Sequence, residues 1–199
     1  MINESILDRL SFKSSIGKSL RKIRMTDLTE YDKQKLVKDL NEYRRYLIEK
    51  TNINELGVAV RIKSTDSFKL KIERYKNTDR SLFSVVNDLL NIRIITEEYS
   101  CFEDALYLRK VDMTQGKSVD DGYRAIHYYY CKDNQHYPIE IQIWSEIDSI
   151  FNTWTHKYSY KFEKSDIGKV LRRAYDSGII TSEKEFKQAL ELLRKDEKL

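Results

Sequence analysis

The stretch 136–144, HYPIEIQIW, leaves this chain the least freedom in how it folds. A β-strand turns successive side chains to opposite faces. Ile139, Ile141 and Ile143 therefore share one face, and Glu140 and Gln142 share the other. The isoleucines demand a buried core beneath them. The chain must build a sheet with one buried face, and Glu140 and Gln142 project from the opposite face.

Other segments alternate in the same way. In VAVRI at 58–62, Val58, Val60 and Ile62 face one side while Ala59, Arg61 and Lys63 face the other. NIRIIT at 91–96 reads as a strand, and so does GYRAIHYYYC at 122–131, which KDNQ links by a turn to the 136–144 strand. CFEDALYLRK at 101–110 fits helix or strand. Helical spacing marks 29–50, with Leu36, Leu40, Tyr43 and Leu47 on one face. Further helices are expected from Ser64 or Ser67 to Tyr75, over 145–161, and over 182–197, where Ser182 and Glu185 form a capping box. One proline and six glycines in 199 residues favour long helices and few loops. The expected architecture is α+β, a mixed sheet of four or five strands flanked by helices. A single domain over 1–199 is expected, its core at about 51–161 with helical extensions at both ends.

Composition narrows the function classes. A net charge of +4 and a pI of about 8.8 suit anionic ligands such as nucleotides, but fall short of a dense basic stripe for nucleic acid. Residues 1–28 hold Lys13, Lys18, Arg21, Lys22 and Arg24, either on a solvated helix face or as a phosphate-contacting element. Cys101 and Cys131 form no CxxC, and three histidines argue against a structural zinc site. IGKS at 16–19 has Phe12 where a phosphate loop needs glycine, so it is no Walker motif. MINESILDRL is not a signal peptide and no apolar run reaches spanning length, so a cytoplasmic protein without membrane contact is expected.

Four segments carry chemistry. RIKSTDSFKLK at 61–71 sets Arg61 and Lys63 at a strand end, with Ser67 and Lys71 on one face of the following helix. Cations and a hydroxyl so placed suit a triphosphate. Asp88 lies among apolar residues just before a strand, where a carboxylate needs a partner or a metal; Arg93 follows within that strand. On the 122–131 strand, Tyr123, Ala125 and His127 alternate on one face, so a ring and an imidazole offer a stacking platform with a phosphate or ribose contact. Asp88 and Glu140, on separate strand elements, are suitable Mg²⁺ ligands alongside substrate phosphates.

In this order the segments resemble the synthetase domain of RelA/SpoT alarmone enzymes. The resemblance spans 58–161 and includes HKYSYK at 156–161. It implies a nucleotidyltransferase-like fold and a Mg²⁺-dependent transfer of pyrophosphate from ATP to the ribose 3′-hydroxyl of GTP or GDP. By resemblance, Arg61 and Arg93 sandwich the adenine, while Lys63, Ser67 and Lys71 contact the ATP phosphates. Asp88 and Glu140 hold Mg²⁺. Tyr123 stacks on the acceptor guanine and His127 contacts an acceptor phosphate. Gln142 orients Glu140 or the acceptor hydroxyl, and Glu140 is the natural acceptor of the hydroxyl proton. A homo-oligomer is also implied.

Several positions depart from the family pattern. Asn91 replaces the usual glycine, Trp144 an arginine and Phe151 a frequent tryptophan; Lys117 is displaced by two positions, and Ser149 stands at a guanine-contacting asparagine. The donor positions are kept and the acceptor positions vary. Two alternatives therefore stand beside alarmone synthesis. One is a toxin-type relative that pyrophosphorylates the 3′ end of tRNA and is paired with an antitoxin. The other is a non-catalytic nucleotide-binding module. No histidine precedes an aspartate, which implies a synthetase without the hydrolase chemistry of the family.

Overall fold

The computed structural model describes residues 2–50, 57–99, 107–117, 120–158 and 166–196. Its elements, in chain order, are α1 (Glu4–Leu10), α2 (Glu30–Lys50), β1 (Ala59–Ile62), α3 (Thr65–Tyr75), α4 (Leu82–Val85), β2 (Leu90–Thr96), β3 (Arg109–Asp112), β4 (Ile126–Tyr130), β5 (Ile139–Ser145), α5 (Glu146–Tyr158), α6 (Ile167–Asp176) and α7 (Glu183–Asp196). The fold is α+β with a five-stranded sheet in the order β1-β2-β5-β4-β3. Of the ambiguous 101–110 segment, 101–106 lies outside the described residues, and the strand β3 begins at Arg109. Residues 51–56, 159–161 and 197, which the expected core and helices include, also lie outside them. The helices α4 and α6 are absent from the sequence-based expectations, and α1 lies within 1–28, where a helix is one of the two readings.

The chain forms two compact units. The first comprises Met1–Ile94, Asp104–Lys110 and His127–Gln142, and all five strands contribute to it. Strands β1 and β2 pair antiparallel, with Ala59 opposite Arg93 and Arg61 opposite Asn91. Directly opposed residues share a sheet face. Arg61, Asn91 and Arg93 thus lie on one face, and Val60, Ile62, Leu90 and Ile92 on the other. On β5 and β4, the buried Ile139, Ile141, Tyr128 and Tyr130 continue the apolar parity. The predicted α2 stripe of Leu36, Leu40, Tyr43 and Leu47 is fully buried.

Polar groups fasten the N-terminal segment to this core. Asp39 of α2 accepts hydrogen bonds from the Tyr137 hydroxyl at 2.6 Å and the Ser15 amide at 2.8 Å. The Tyr43 hydroxyl donates to the Leu10 carbonyl at 2.7 Å while its ring stacks on Phe12. The basic stretch 13–24 holds turns and irregular backbone and no helix. Arg21 lies over the Phe83 ring at 3.7 Å and Arg24 donates to the Asp79 carbonyl at 3.1 Å, so both cations are engaged within the protein.

The second unit comprises Ile95–Glu103, Val111–Ile126 and Ile143–Leu199. Its α5, α6 and α7 enclose Phe151, Trp154, Ile167, Leu171, Ile180, Phe186 and Leu190. The predicted capping box opens α7: the Ser182 hydroxyl accepts from the Glu185 amide at 3.3 Å, and the Glu185 carboxylate accepts from the Ser182 amide at 3.0 Å. The buried Asp148 carboxylate is met by Arg172 at 2.5 Å, the Tyr99 hydroxyl at 2.7 Å and the Ser145 hydroxyl at 2.8 Å.

The strand expected over 122–131 starts only at Ile126. The reason lies in side chains that take up the backbone before it. Asp120 accepts from the Gly122 amide, Asp121 from the Tyr123 amide, and Asn152 brackets Arg124 through both its amide and its carbonyl. Gly122 has φ +82°, a left-handed conformation that favours glycine. Tyr123 therefore sits on a built turn rather than in alternation with His127.

Gly168 closes on that turn. A Cβ there would stand 2.3 Å from the Asp121 carbonyl oxygen, a backbone atom that cannot swing away. Alanine normally gains about 1 kcal/mol over glycine in a helix. Overpacking of about 1–3 kcal/mol outweighs that gain. Gly168→Ala is expected to lower the melting temperature by a few degrees, roughly 2–4 °C per kcal/mol for a chain of this size. An unchanged or raised melting temperature would show that the turn yields freely.

Candidate active site

The polar sheet face of the first unit is organised around one buried carboxylate. Glu140 is only 6% exposed. Its Oε2 accepts from Asn91 Nδ2 at 2.8 Å and Gln142 Nε2 at 3.0 Å. Its Oε1 accepts from the Tyr129 hydroxyl at 3.0 Å and from His127 Nδ1 at 3.0 Å. Burial pushes the Glu140 pKa up, but the His127, Asn91 and Tyr129 hydrogen bonds outweigh it and hold the carboxyl below its ordinary value. Glu140 is thus kept ionised inside the protein.

Gln142 extends this network to Arg93. Its Oε1 accepts from Arg93 Nη2 at 3.3 Å while its Nε2 donates to Glu140, so the amide orientation is consistent at both ends. Arg61 on β1 is exposed and lies on the same sheet face as Arg93, one diagonal step away in the register.

Asp88 is held differently. Lys63 Nζ reaches its Oδ2 at 2.6 Å and Lys71 Nζ its Oδ1 at 2.9 Å. Lys71 also donates to Asn87 at 3.2 Å. Burial lowers the Lys71 pKa, and both Asp88 and Glu140 act against that by favouring its charge. Lys71 therefore senses both carboxylates. The helix that carries it begins at Ser64, whose hydroxyl accepts the Ser67 amide at 3.2 Å and donates to the Ser67 hydroxyl at 2.9 Å. Of the two serines expected to start this helix, Ser64 is the cap, and Ser67 sits in the first turn.

Nine of the ten sequence-predicted site residues, Arg61, Lys63, Ser67, Lys71, Asp88, Arg93, His127, Glu140 and Gln142, belong to the first unit. His127 is 8% exposed and faces Glu140. Asn91 and Tyr129 bond to Glu140 and are not among the site residues expected from the sequence. Strand parity held the signal: Asn91 alternates with Arg93, and Tyr129 with His127. Among the described residues, no cluster of three or more His, Cys, Asp and Glu side chains is arranged to hold a metal. The available donor set is the pair Asp88 and Glu140.

Tyr123 belongs to the second unit. Its hydroxyl accepts from Trp144 Nε1 at 3.0 Å, the two rings meet edge to face, and Lys117 Nζ lies 4.6 Å over its ring. Trp144 is 3% exposed, so its indole is part of the Tyr123 mounting. The Ser149 hydroxyl donates to the Glu146 carbonyl of its own helix at 2.7 Å. Phe151 is buried in the helical core.

The sequence profile of the region found in RelA / SpoT proteins matches residues 60–165, more than half of the chain. No curated protein sequence matches. Among solved structures, the chain is similar to small alarmone synthetase 1 from Bacillus subtilis bound to its product pppGpp, with 16% identity and a TM-score of 0.43 over 83% of this chain and 94% of that one. It is similar to small alarmone synthetase 2 from Bacillus subtilis, with 21% identity and a TM-score of 0.40 over 84% of this chain and 95% of that one. A GTP pyrophosphokinase family protein from Streptococcus pneumoniae has 18% identity and a TM-score of 0.42, over 85% of this chain and 95% of that one.

The turn that carries Tyr123 has its own electrostatic fastening. Arg124 grips both Asp120 oxygens, at 2.7 and 3.0 Å, and holds that carboxyl below the ordinary aspartate value of 3.8. A depressed folded-state pKa contributes stability that is present above the unfolded value and lost as pH falls through the folded one. Asp120→Asn is expected to lower the melting temperature at neutral pH. The gap to the native chain should close as pH drops below that ordinary value, because the native carboxylate protonates too. A pH-independent gap, read by thermal melts across acid pH, would show that the pair carries no charge-dependent stability.

Proposed function

This chain belongs to the RelA/SpoT family of pyrophosphotransferase enzymes, and we propose that it transfers pyrophosphate from ATP to the ribose 3′-hydroxyl of GTP or GDP in a Mg²⁺-dependent reaction. The observation that carries this reading is a pair of carboxylates, both of which act on the Lys71 charge, supported in different ways. Asp88 is paired with two lysines, and Glu140 is held ionised by His127, through both its hydrogen bond and its charge, and by the hydrogen bonds of Asn91 and Tyr129.

Lys63 and Lys71 are long, flexible cations, and an arriving triphosphate offers them more negative charge than Asp88 alone. Their transfer to phosphate oxygens would neutralise the polyanion and leave Asp88 open. Ser67 adds a hydroxyl in the first turn of a helix, where phosphate is favoured. Arg61 and Arg93, diagonal on one face, suit the gripping of a planar base. Asp88 and Glu140 would hold Mg²⁺, which takes one or two carboxylates and completes its shell with phosphates and water. When bound, the ion would stabilise charge that builds on the transferring group.

Glu140 already accepts four hydrogen bonds, and each lowers its basicity. That supports a role in charge and orientation ahead of proton removal. His127 is part of this support, and Gln142 links it to Arg93. Tyr123 is proposed to stack on the acceptor base, its ring fixed through Trp144.

A second acceptor, the 3′ end of tRNA, draws support from Trp144. The family's arginine at this position is replaced by an indole whose N–H is engaged by Tyr123, so a cation is lost from the acceptor side. A toxin-type enzyme of this kind would have an antitoxin as partner.

One assay separates these readings. The protein, Mg²⁺ and β- or γ-labelled ATP are incubated with GDP, GTP or deacylated tRNA. Label on a guanine nucleotide is the expected result. Label on tRNA alone would replace the proposed acceptor. Label retained in ATP with every acceptor, with nucleotide still bound, would leave only a binding module. Asp88→Ala is expected to cut transfer by roughly a hundred-fold or more; transfer at the native rate would remove Asp88 from the mechanism.

A further inference from the structure

We propose that Asn91 and Tyr129 are positioning residues that clamp the Glu140 carboxylate from both neighbouring strands. The inference rests on the reading that Glu140 serves pyrophosphate transfer. In the sheet, β5 lies between β2 and β4. Asn91 reaches Oε2 from β2, and Tyr129 reaches Oε1 from β4. Gln142 from β5 itself and His127 from β4 add one bond to each oxygen. The carboxyl plane is therefore fixed at both ends. Rotation of the Glu140 side chain would break bonds on two strands at once.

This clamp differs in kind from the support of Asp88. The Asp88 partners are lysine ammoniums on long stems, which a bound triphosphate can draw away. The Asn91 donor is carried on a short side chain rooted in a hydrogen-bonded strand, and Asn91 is 7% exposed. Tyr129 presents its hydroxyl on a rigid ring with few rotatable bonds. Neither donor carries charge that phosphate would attract. Their hold on Glu140 persists when substrate arrives, and Glu140 keeps one orientation through the reaction. A site must hold its groups within a fraction of an ångström, so an orienting contact of this sort is worth a measurable share of the rate. The glycine that Asn91 replaces in the family pattern has no side chain to supply such a bond.

The test uses Asn91→Ala and Tyr129→Phe, each in the native chain and in Glu140→Gln. In the native background each is expected to lower kcat on the order of ten- to a hundred-fold, the loss expected for a hydrogen bond to a charged group. KM for ATP should stay within about two-fold, since no ATP contact is removed. In the Glu140→Gln background neither should lower the residual single-turnover rate further. A second readout is Mn²⁺ affinity in the presence of a non-hydrolysable ATP analogue, followed by electron paramagnetic resonance. It should weaken with either substitution in the native background and stay constant in Glu140→Gln, even where the latter has no measurable rate. Native kcat in both single variants would overturn the inference, as would losses of equal size in both backgrounds. A native chain that transfers label to no acceptor would overturn the functional reading itself, whereas fully active variants beside an active native chain overturn only the clamp.

Discussion

The polar half of this protein depends on keeping an ionised carboxylate inside a sheet. An anion as buried as Glu140 is costly without compensation, and removing water from it raises its pKa. Here the hydrogen bond and charge of His127 and the hydrogen bonds of Asn91 and Tyr129 reverse that tendency. The compensation dictates what else the face contains. Asn91, His127, Tyr129 and Gln142 must all lie on the parity of Glu140, and each must direct a donor inward. Arg93 is then bound into the same system through the Gln142 carbonyl. Arg93 and the central carboxylate are thereby coupled through one amide.

The second carboxylate shows the contrasting solution. Asp88 is satisfied by two ammoniums, one from the residue after β1 and one from α3. Charge pairing of this type stabilises the ligand-free chain and also stores two cations where phosphate would need them. An exchangeable partner suits a group that must open to a ligand. A fixed, uncharged partner suits a group that must not turn. The same distinction separates Lys117, exposed over the Tyr123 ring, from Trp144, buried against the Tyr123 hydroxyl.

Much of this was legible from residue order. Alternation in 58–62, 91–96 and 136–144 placed Arg61, Arg93, Glu140 and Gln142 on the face opposite the apolar side chains, because side-chain direction along a strand is a local property. Helical spacing named the α2 stripe and put Ser67 and Lys71 on one face for the same reason. The capping box at Ser182 and Glu185 spans four residues and needed no tertiary knowledge. Residues 122–125 read as the start of a strand from local pattern alone, because Asn152, which takes up the Arg124 backbone, lies 28 residues away in sequence.

The amino-acid order by itself therefore determined the two-faced strands, the amphipathic helices and the side chains proposed to meet a triphosphate and a metal. It also carried the family, through motifs whose spacing a profile over 60–165 matches. Only the tertiary structure decided which of those groups touch. That β5 lies between β2 and β4 made Asn91 and Tyr129 partners of Glu140, and the fold around Asp88 made Lys63 and Lys71 its counter-ions. Strand order and helix placement are set by burial of the whole apolar face, which sums over residues distant in the chain. No local pattern encodes that sum, so the electrostatics of the site became visible only in the folded molecule.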